Sequence, residues 1–349
     1  MSPLPGSSQP LGAAADVALL DLDGVVYVGD RPVDHAAAAL AEARGLGLRL
    51  VATTNNALRP AAAVAALLTQ LGVPATAADV VTSAQAAAGL VAGLVDPGAL
   101  VLACGGAGLV DALRERGLRA TASDQADVRA VVTGYDPTLT WERMAAAVTA
   151  VRRGVPWIAS NTDTTVPGHG GVGPGAGALV AFVRTGAGSP PRAVAGKPGR
   201  ALIDEAVRRT GAQAPLVVGD RLDTDIAGAV AARLPSLLVL TGVCRPVDVL
   251  GAGPAERPTH LAADLRGLLH GHPTARAVDG GWEVGAARAA AVDGRLTLSG
   301  LRRDTHGSAR AGDGWADGLD ALRASCVCAW AAADAGAPLR GLTWPVVGG

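Results

Sequence analysis

The stretch DVALLDLDGVVYVGD, Asp16–Asp30, decides the fold. Its opening, Val17-Ala18-Leu19-Leu20, is an unbroken apolar run of strand length, the pattern of a strand buried on both faces. The run ends in Asp21, Asp23 and Gly24. Alternate strand residues share a face, so both carboxylates leave the strand end on the same side. Gly24 lets the chain turn there with no Cβ penalty. Open α/β sheets place their chemistry at the carboxyl ends of buried strands. Two carboxylates that close need a cation or a shared proton, and Mg²⁺, a hard cation with oxygen ligands, meets the need. An EF-hand loop is excluded: the later acidic positions are missing and a strand, not a helix, leads in. Two solvated loop aspartates are the bland alternative, and they leave the wholly apolar lead-in unexplained.

Composition narrows the class. The chain has 349 residues, enough for two or three domains, and its 49% hydrophobic content can fill a sizeable core. Net charge is −1 and no basic block occurs, which argues against a nucleic-acid partner. No apolar run reaches membrane-spanning length. Residues 1–15 have neither a basic start nor a long apolar centre and read as a disordered tail rather than a signal peptide. Cys104, Cys244, Cys326 and Cys328 show no zinc spacing and no disulfide framework, so a cytoplasmic protein is expected. Of 30 basic residues only Lys197 is lysine, and the only asparagines are Asn55, Asn56 and Asn161. The abundance of Ala, Gly, Arg and Val indicates a GC-rich genome that replaces Lys and Asn wherever function tolerates it. The survivors then mark places where a substitute fails.

Outward from the first strand, Leu46–Thr53 reads as a second buried strand. It ends in Thr54-Asn55-Asn56 ahead of a helix over Pro60–Leu71. Hydroxyl and amide groups there can donate to a phosphate, although an ordinary helix cap would use the same residues. A long segment follows with its own alternation: strands at Ala99–Ala103, Ala130–Gly134 and Val155–Ser160, helices to Arg116 and over Trp141–Arg153. It ends in Asn161, Asp163 and a glycine-rich loop, Gly168–Gly177, whose backbone can approach a ligand closely. His169 in that loop is a candidate substrate contact, against the commoner reading of a solvated histidine. Gly196-Lys197-Pro198 carries the single lysine, an ammonium able to neutralise a transferring phosphoryl group. Pro215–Val218 is a further strand, running into Gly219-Asp220, with Asp223 and Asp225 in the turn that follows.

These pieces resemble, in order, the four motifs of the haloacid dehalogenase (HAD) superfamily of phosphotransferases. DLDGVVY is similar to motif I, Thr54-Asn55 to motif II, Gly196-Lys197-Pro198 to motif III and GDRLDTD (Gly219–Asp225) to motif IV of the NagD-like subfamily. GYDPTLTWERM (Gly134–Met144) resembles the cap signature of that subfamily. The resemblance covers residues 16–270. It implies a doubly wound parallel-sheet α/β core from 16–82 and 192–270, with an inserted α/β cap of type 2 at 83–191. It also implies roles: Asp21 as nucleophile, Asp23 as acid/base and Lys197 as charge neutraliser. Thr54, Asn55 and Asn56 become phosphate-positioning groups, and Asn161 and His169 cap-side substrate contacts. Mg²⁺ falls to Asp21, the Asp23 carbonyl and Asp220, supported by Gly24, Gly219 and Asp225.

Residues 271–349 are extra to this pattern. Trp282–Val284 and Arg295–Leu298, around Asp293-Gly294, read as strands, Asp317–Ala335 as a helix and Leu339–Val346 as a strand. That order resembles a fragment of an N-acetyltransferase fold, without the glycine-rich loop that cradles coenzyme A. A small non-catalytic α+β extension for packing, oligomerisation or regulation is therefore expected. Some actinobacterial NagD-like glycerol-phosphate phosphatases carry such a tail. The expected function is Mg²⁺-dependent hydrolysis of a small phosphomonoester, glycerol 3-phosphate first. 2-Phosphoglycolate, pyridoxal phosphate and nucleoside monophosphates are the alternatives, and a catalytically idle phosphate-binding protein the different class. The expected partner is a small phosphorylated metabolite, with no nucleic acid and no membrane; a homodimer is open.

Overall fold

The computed structural model describes residues 4–29, 31–168, 171–299 and 317–344, without the side chains of 167–172. The chain divides into two compact units, residues 1–50 with 212–349, and residues 51–211.

In the first unit Val17–Leu20 is fully buried, as its apolar run predicts. It pairs in parallel with Pro215–Gly219, Val17 opposite Pro215 and Leu20 opposite Val218. Ser236–Val239 and His260–Ala262 continue the parallel sheet outward. Every residue of these four strands is buried, so neither sheet face meets water. The next strand, Arg49–Thr54, starts in this unit, where the Arg49 N–H donates to the Asp16 carbonyl at 3.0 Å.

The same unit holds the extension. Arg276–Val278, Gly281–Val284, Ala287–Val292 and Arg295–Ser299 form an antiparallel meander. Its last hairpin turns at Asp293-Gly294, both with positive φ (50° and 73°), as a two-residue hairpin turn requires. The helix Asp320–Asp334 packs on this sheet and on the helix Pro246–Leu250. Its residues from Leu322 to Trp330 are all buried, which marks a helix enclosed on every side. They belong to one apolar cluster with Ile226, Leu238, Val249 and Leu261 of the parallel sheet and its helices. The extension therefore shares a core with the nucleotide-fold-like sheet instead of packing apart from it.

Three expectations change here. Residues 4–15 are not a loose tail: Leu4 and Leu11 are 4% exposed, and Ser7 bridges His272 through two backbone hydrogen bonds of 2.8 Å. Two apolar anchors and a strand-like bridge hold the segment down. Leu339–Thr343 is not a strand; residues 337–344 are irregular, and 345–346 lie outside the described residues. Compact division falls at 50/51 and 211/212, not at 83 and 191. The unforeseen helix Ser83–Ala92 explains this, because nearly all its residues are buried and it packs on both the Ala107–Glu115 and Ala201–Thr210 helices.

In the second unit, Arg49–Thr54 pairs in parallel with Val80–Thr82. A five-stranded parallel sheet runs in the order 193–194, 157–159, 128–133, 100–104, 119–121. The helices Trp141–Arg152 and Ala176–Ala187 pack together, and their cluster with the sheet includes Leu102, Val131, Trp157 and Val183. The GYDPTLTWERM stretch is an internal brace: Arg143 pairs with Asp136 and donates to the Ala103 and Gly105 carbonyls at 3.1 and 2.9 Å. Where a glycine-rich loop was expected, Thr165–Gly168 and Gly171–Pro174 form a hairpin. His169 lies outside the described residues.

Candidate active site

The two central strands of the first unit deliver its acids. The Asp21 N–H still donates to the Val218 carbonyl at 2.8 Å, so Asp21 is the last residue held by the ladder. Asp220 follows Gly219 at the end of the neighbouring strand and is fully buried. Asp225 sits in a π-helical turn, Leu222–Ile226, that aims its carboxylate back toward the strand ends. One carboxylate oxygen from each of Asp21, Asp220 and Asp225 lies within 4.8 Å of the others. Glycines make room for this. A Cβ on Gly24, whose φ is +86°, would collide with the Asp220 carboxylate, and one on Gly219 with Asp225.

Backbone donors fix the acids. Asp220 Oδ2 accepts from Val243 N–H at 2.6 Å, and its carbonyl from Cys244 N–H at 3.1 Å. Asp225 Oδ2 accepts from Arg221 N–H at 3.1 Å. Thr241 Oγ1 donates to the Gly24 carbonyl at 2.6 Å, so one loop, Thr241–Cys244, holds both strand ends. At Gly242 a Cβ would strike Asp220 Oδ2 and lie 2.7 Å from Gly24 Cα.

Two like charges about 4 Å apart repel by roughly 4 kcal/mol at an effective dielectric near 20. Three carboxylates so placed call for a cation. Their all-oxygen, acidic donor set fits Mg²⁺ or Ca²⁺ and does not suit a thiolate- or imidazole-seeking metal. Asp225, expected only as support, thus stands among the carboxylates able to hold the ion. The Asp23 side chain stands outside the trio. Partial burial pushes its carboxyl above the usual carboxylate range, against the opposing pull of the Gly29 and Gly24 N–H groups and the Arg221 guanidinium. A carboxyl that takes a proton more readily suits proton donation.

The second unit holds the other motif residues. Lys197 is 3% exposed, and its ammonium donates to the Thr53 carbonyl at 3.0 Å. Its peptide is gripped by Asn55: Lys197 N–H donates to Asn55 Oδ1 at 2.8 Å, and Asn55 Nδ2 donates to the Lys197 carbonyl at 3.0 Å. Asn55 Nδ2 also donates to Asp163 Oδ1 at 3.1 Å. Asn161 Nδ2 donates to the Asn55 carbonyl at 2.7 Å, and Asn161 Oδ1 accepts from Asp163 N–H at 3.1 Å. Ser83 Oγ donates to the same Asn55 carbonyl at 2.6 Å. The Asn55 and Asn161 amides are therefore spent on protein groups around Lys197, not presented as phosphate or substrate contacts. Asn56 is exposed and its Oδ1 accepts from Leu58 N–H at 2.8 Å, an Asx turn. Thr54 Oγ1 accepts from Asn56 N–H at 3.1 Å, which leaves its hydroxyl hydrogen able to donate. Asp163, which the sequence places beside Asn161 without a role, joins both asparagines in this network.

Family models agree with the geometry. Residues 18–119 match the haloacid dehalogenase-like hydrolase model, and residues 194–268 a HAD-hydrolase-like model. The D-glycerol 3-phosphate phosphatase of Mycobacterium tuberculosis is 47% identical over 270 residues, 77% of this chain and 75% of that protein. The chain belongs to the haloacid dehalogenase-like hydrolases. An acid sugar phosphatase of Staphylococcus aureus is 34% identical over 71% of this chain and 94% of its own length. Among solved structures, a glycerol phosphate phosphatase from Mycobacterium tuberculosis in complex with calcium matches with a TM-score of 0.83 and 41% identity, covering 96% of this chain and 94% of that one. The magnesium complex matches with a TM-score of 0.82 and 40% identity, over 95% of this chain and 94% of that one. The α/β fold of this hydrolase, parallel sheets flanked by helices, is the one expected.

Proposed function

We propose that this hydrolase is a Mg²⁺-dependent phosphatase that cleaves glycerol 3-phosphate through an aspartyl-phosphate. The observation that carries the reading is the carboxylate trio of Asp21, Asp220 and Asp225 gathered at the ends of two neighbouring parallel strands. The kinship to a D-glycerol 3-phosphate phosphatase supplies the substrate.

In this reading Asp21, Asp220, Asp225 and the Asp23 carbonyl would hold Mg²⁺, which when bound would supply positive charge to offset that of the phosphoryl group. The Asp21 carboxylate attacks phosphorus in line; the new O–P bond forms as the bond to the alcohol oxygen breaks. Asp23 gives its proton to the departing alkoxide, then takes one from the water that attacks the aspartyl-phosphate, restoring Asp21 and releasing phosphate. Lys197 neutralises the transferring group, and the Thr54 hydroxyl donates to it. Asn55 acts at one remove by fixing the Lys197 backbone, and Asn161 at two by holding the Asn55 carbonyl.

A cytoplasmic setting is part of the same reading. All four cysteines are buried free thiols, as suits a reducing compartment, and no helix among the described residues is long and apolar enough to cross a membrane. Light scattering on the full chain is the test of the homodimer left open by the sequence.

The test is phosphate release from glycerol 3-phosphate, a sugar phosphate, 2-phosphoglycolate, pyridoxal phosphate and a nucleoside monophosphate, with and without Mg²⁺. Glycerol 3-phosphate is expected to give the highest kcat/KM. A higher value for another ester overturns the substrate, and release unaffected by chelation overturns the metal.

A further inference from the structure

We propose that the C-terminal helix Asp320–Asp334 is a positioning element for the carboxylate of Asp220, acting through the Thr241–Cys244 loop. The inference rests on the metal-site reading given above.

The loop has one task visible in its hydrogen bonds: Val243 and Cys244 N–H groups fix Asp220, and Thr241 fixes Gly24. It has no room to shift toward the acids, because Gly242 already lies against Asp220 and Gly24. Its position is therefore set by what holds its two ends. On the N-terminal side is the strand Ser236–Val239, whose outer neighbour is His260–Ala262; the Leu240 N–H just past it donates to the Ala262 carbonyl at 3.2 Å. On the C-terminal side is the short helix Pro246–Leu250.

The C-terminal helix grips both sides. Arg323 donates to the Leu261 carbonyl at 2.5 Å, and Asp317 and Asp320 hold its guanidinium in place. Trp330 Nε1–H donates to the Val249 carbonyl at 2.9 Å. Residues seven apart lie on one face of a helix, so Arg323 and Trp330 form a two-point clamp. Both are buried, at 3% and 2% exposure. Trp330 is itself held, with the Arg257 guanidinium 5.5 Å over its ring and Arg257 paired to Asp334. Between the two points Cys326 packs in the same apolar cluster as Cys244, the last residue of the loop. An appended domain would need no such grip on the two elements that flank the loop holding Asp220.

The experiment measures Mg²⁺ affinity of the substrate-free full chain by calorimetry, beside thermal unfolding and turnover. Trp330→Phe removes one N–H and keeps an aromatic ring. Loss of one buried hydrogen bond, passed to Asp220, is expected to weaken Mg²⁺ binding about fivefold, with kcat at saturating Mg²⁺ within about twofold of wild type. Arg323→Lys, which keeps the charge but not the fork, is expected to weaken it about threefold and serves if the first variant folds poorly. Trp157→Phe is the matched control: it removes the same kind of bond, Trp157 Nε1–H to Thr133 Oγ1 at 3.0 Å, in the other unit. It is expected to lower the unfolding temperature and leave Mg²⁺ affinity unchanged. Asp220→Asn is expected to remove Mg²⁺ binding. If it does, and Trp330→Phe and Arg323→Lys shift only the unfolding temperature as Trp157→Phe does, the positioning role is overturned alone. If Asp220→Asn binds Mg²⁺ as wild type does, the metal-site reading falls and this proposal with it.

Discussion

In residues 1–50 and 212–349, three carboxylates are crowded together, and backbone N–H groups hold those of Asp220 and Asp225. In residues 51–211, one ammonium donates to the Thr53 carbonyl, the Asn55 amide ties its backbone, and Asn161 in turn holds the Asn55 carbonyl. The first arrangement gathers three acidic oxygen donors within 4.8 Å of one another, a donor set suited to a hard divalent cation. The second satisfies most of its own hydrogen bonds and works as a rigid mount for a single cation. In the proposed reading the motif residues divide into groups that would act on the ligand and groups that hold those groups still, and hydrogen-bond direction separates the two.

The sharpest way to break the comparison is to remove the charge at each place. Asp21→Asn keeps shape and removes the nucleophile, so kcat is expected to fall by about 10⁴ or more, with Mg²⁺ binding weakened too. Lys197→Ala is expected to cost about 10³ in kcat while Mg²⁺ affinity, read by calorimetry, stays at the wild-type value. Equal loss of Mg²⁺ binding in both variants would erase the distinction between the two clusters.

A smaller perturbation changes no charge at all. Gly242→Ala places a methyl group where Asp220 Oδ2 lies, and the carboxylate or the loop has to move. Mg²⁺ affinity is expected to drop about tenfold or more, since a displaced ligand costs on the order of 1–3 kcal/mol when buried groups lose their partners. The readout is the Mg²⁺ concentration for half-maximal activity together with calorimetry of the substrate-free protein. Wild-type values in both would show that the acids tolerate displacement and that the backbone clamp has no role in metal affinity.

The sequence carried the apolar strands and the acids at their ends because both signals are local: an unbroken Val/Leu run, then Asp and Gly. Lys197 stood out by composition alone. Asp225 did not read as a metal-site residue, because it lies six residues beyond the end of its strand at Gly219 and only the π-helical turn brings it back. Asn55 and Asn161 were marked as important for the right residues and the wrong contacts. An amide both donates and accepts, and nothing local says whether it faces a phosphate or a neighbouring backbone. What the extension packs against was not legible for a related reason. The apolar residues of Leu322–Trp330 announce burial, and sequence does not say against what; half of their partners lie before residue 270. Residues 4–15 show the same limit, since Leu4 and Leu11 in a Pro- and Ser-rich segment have no periodicity to expose them.

The asparagines offer a milder test of the mount. Asn55→Ala leaves the Lys197 N–H, its carbonyl and Asp163 without the amide that joins them. A kcat loss of about 30- to 100-fold is expected from the misplaced ammonium, because small displacements of charge-stabilising groups are costly. Asn161→Ala, one hydrogen bond further away, is expected to lose about 10-fold. Neither variant should alter Mg²⁺ affinity. A large rise in KM for glycerol 3-phosphate at constant kcat would instead make these amides direct substrate contacts, as the sequence reading had them.

The smallest effect concerns stability and separates the units by pH. His260 and His272 are buried with ring centroids 5.1 Å apart, both in the first unit. Burial, then the neighbouring His272 and Arg323, pushes His260 down to about 3, and burial also lowers His272. A histidine whose folded value is depressed folds as the neutral ring. Its contribution is fully present above the unfolded value near 6.5 and is lost as pH falls from there toward about 3. The His260 ring costs about 1.4 kcal/mol per pH unit within that window. Among the described residues the second unit has no histidine. Hydrogen exchange between pH 7 and pH 5 is therefore expected to show protection falling first in the His260–Ala262 strand and the residues packed on it, while the sheet of residues 100–104 and 128–133 holds. In His260→Leu, the acid loss of stability measured by urea unfolding should become shallower by about 1 kcal/mol per pH unit. If the variant keeps the wild-type slope, His260 is not the residue through which acid reaches this core, and the two units lose their difference in pH response.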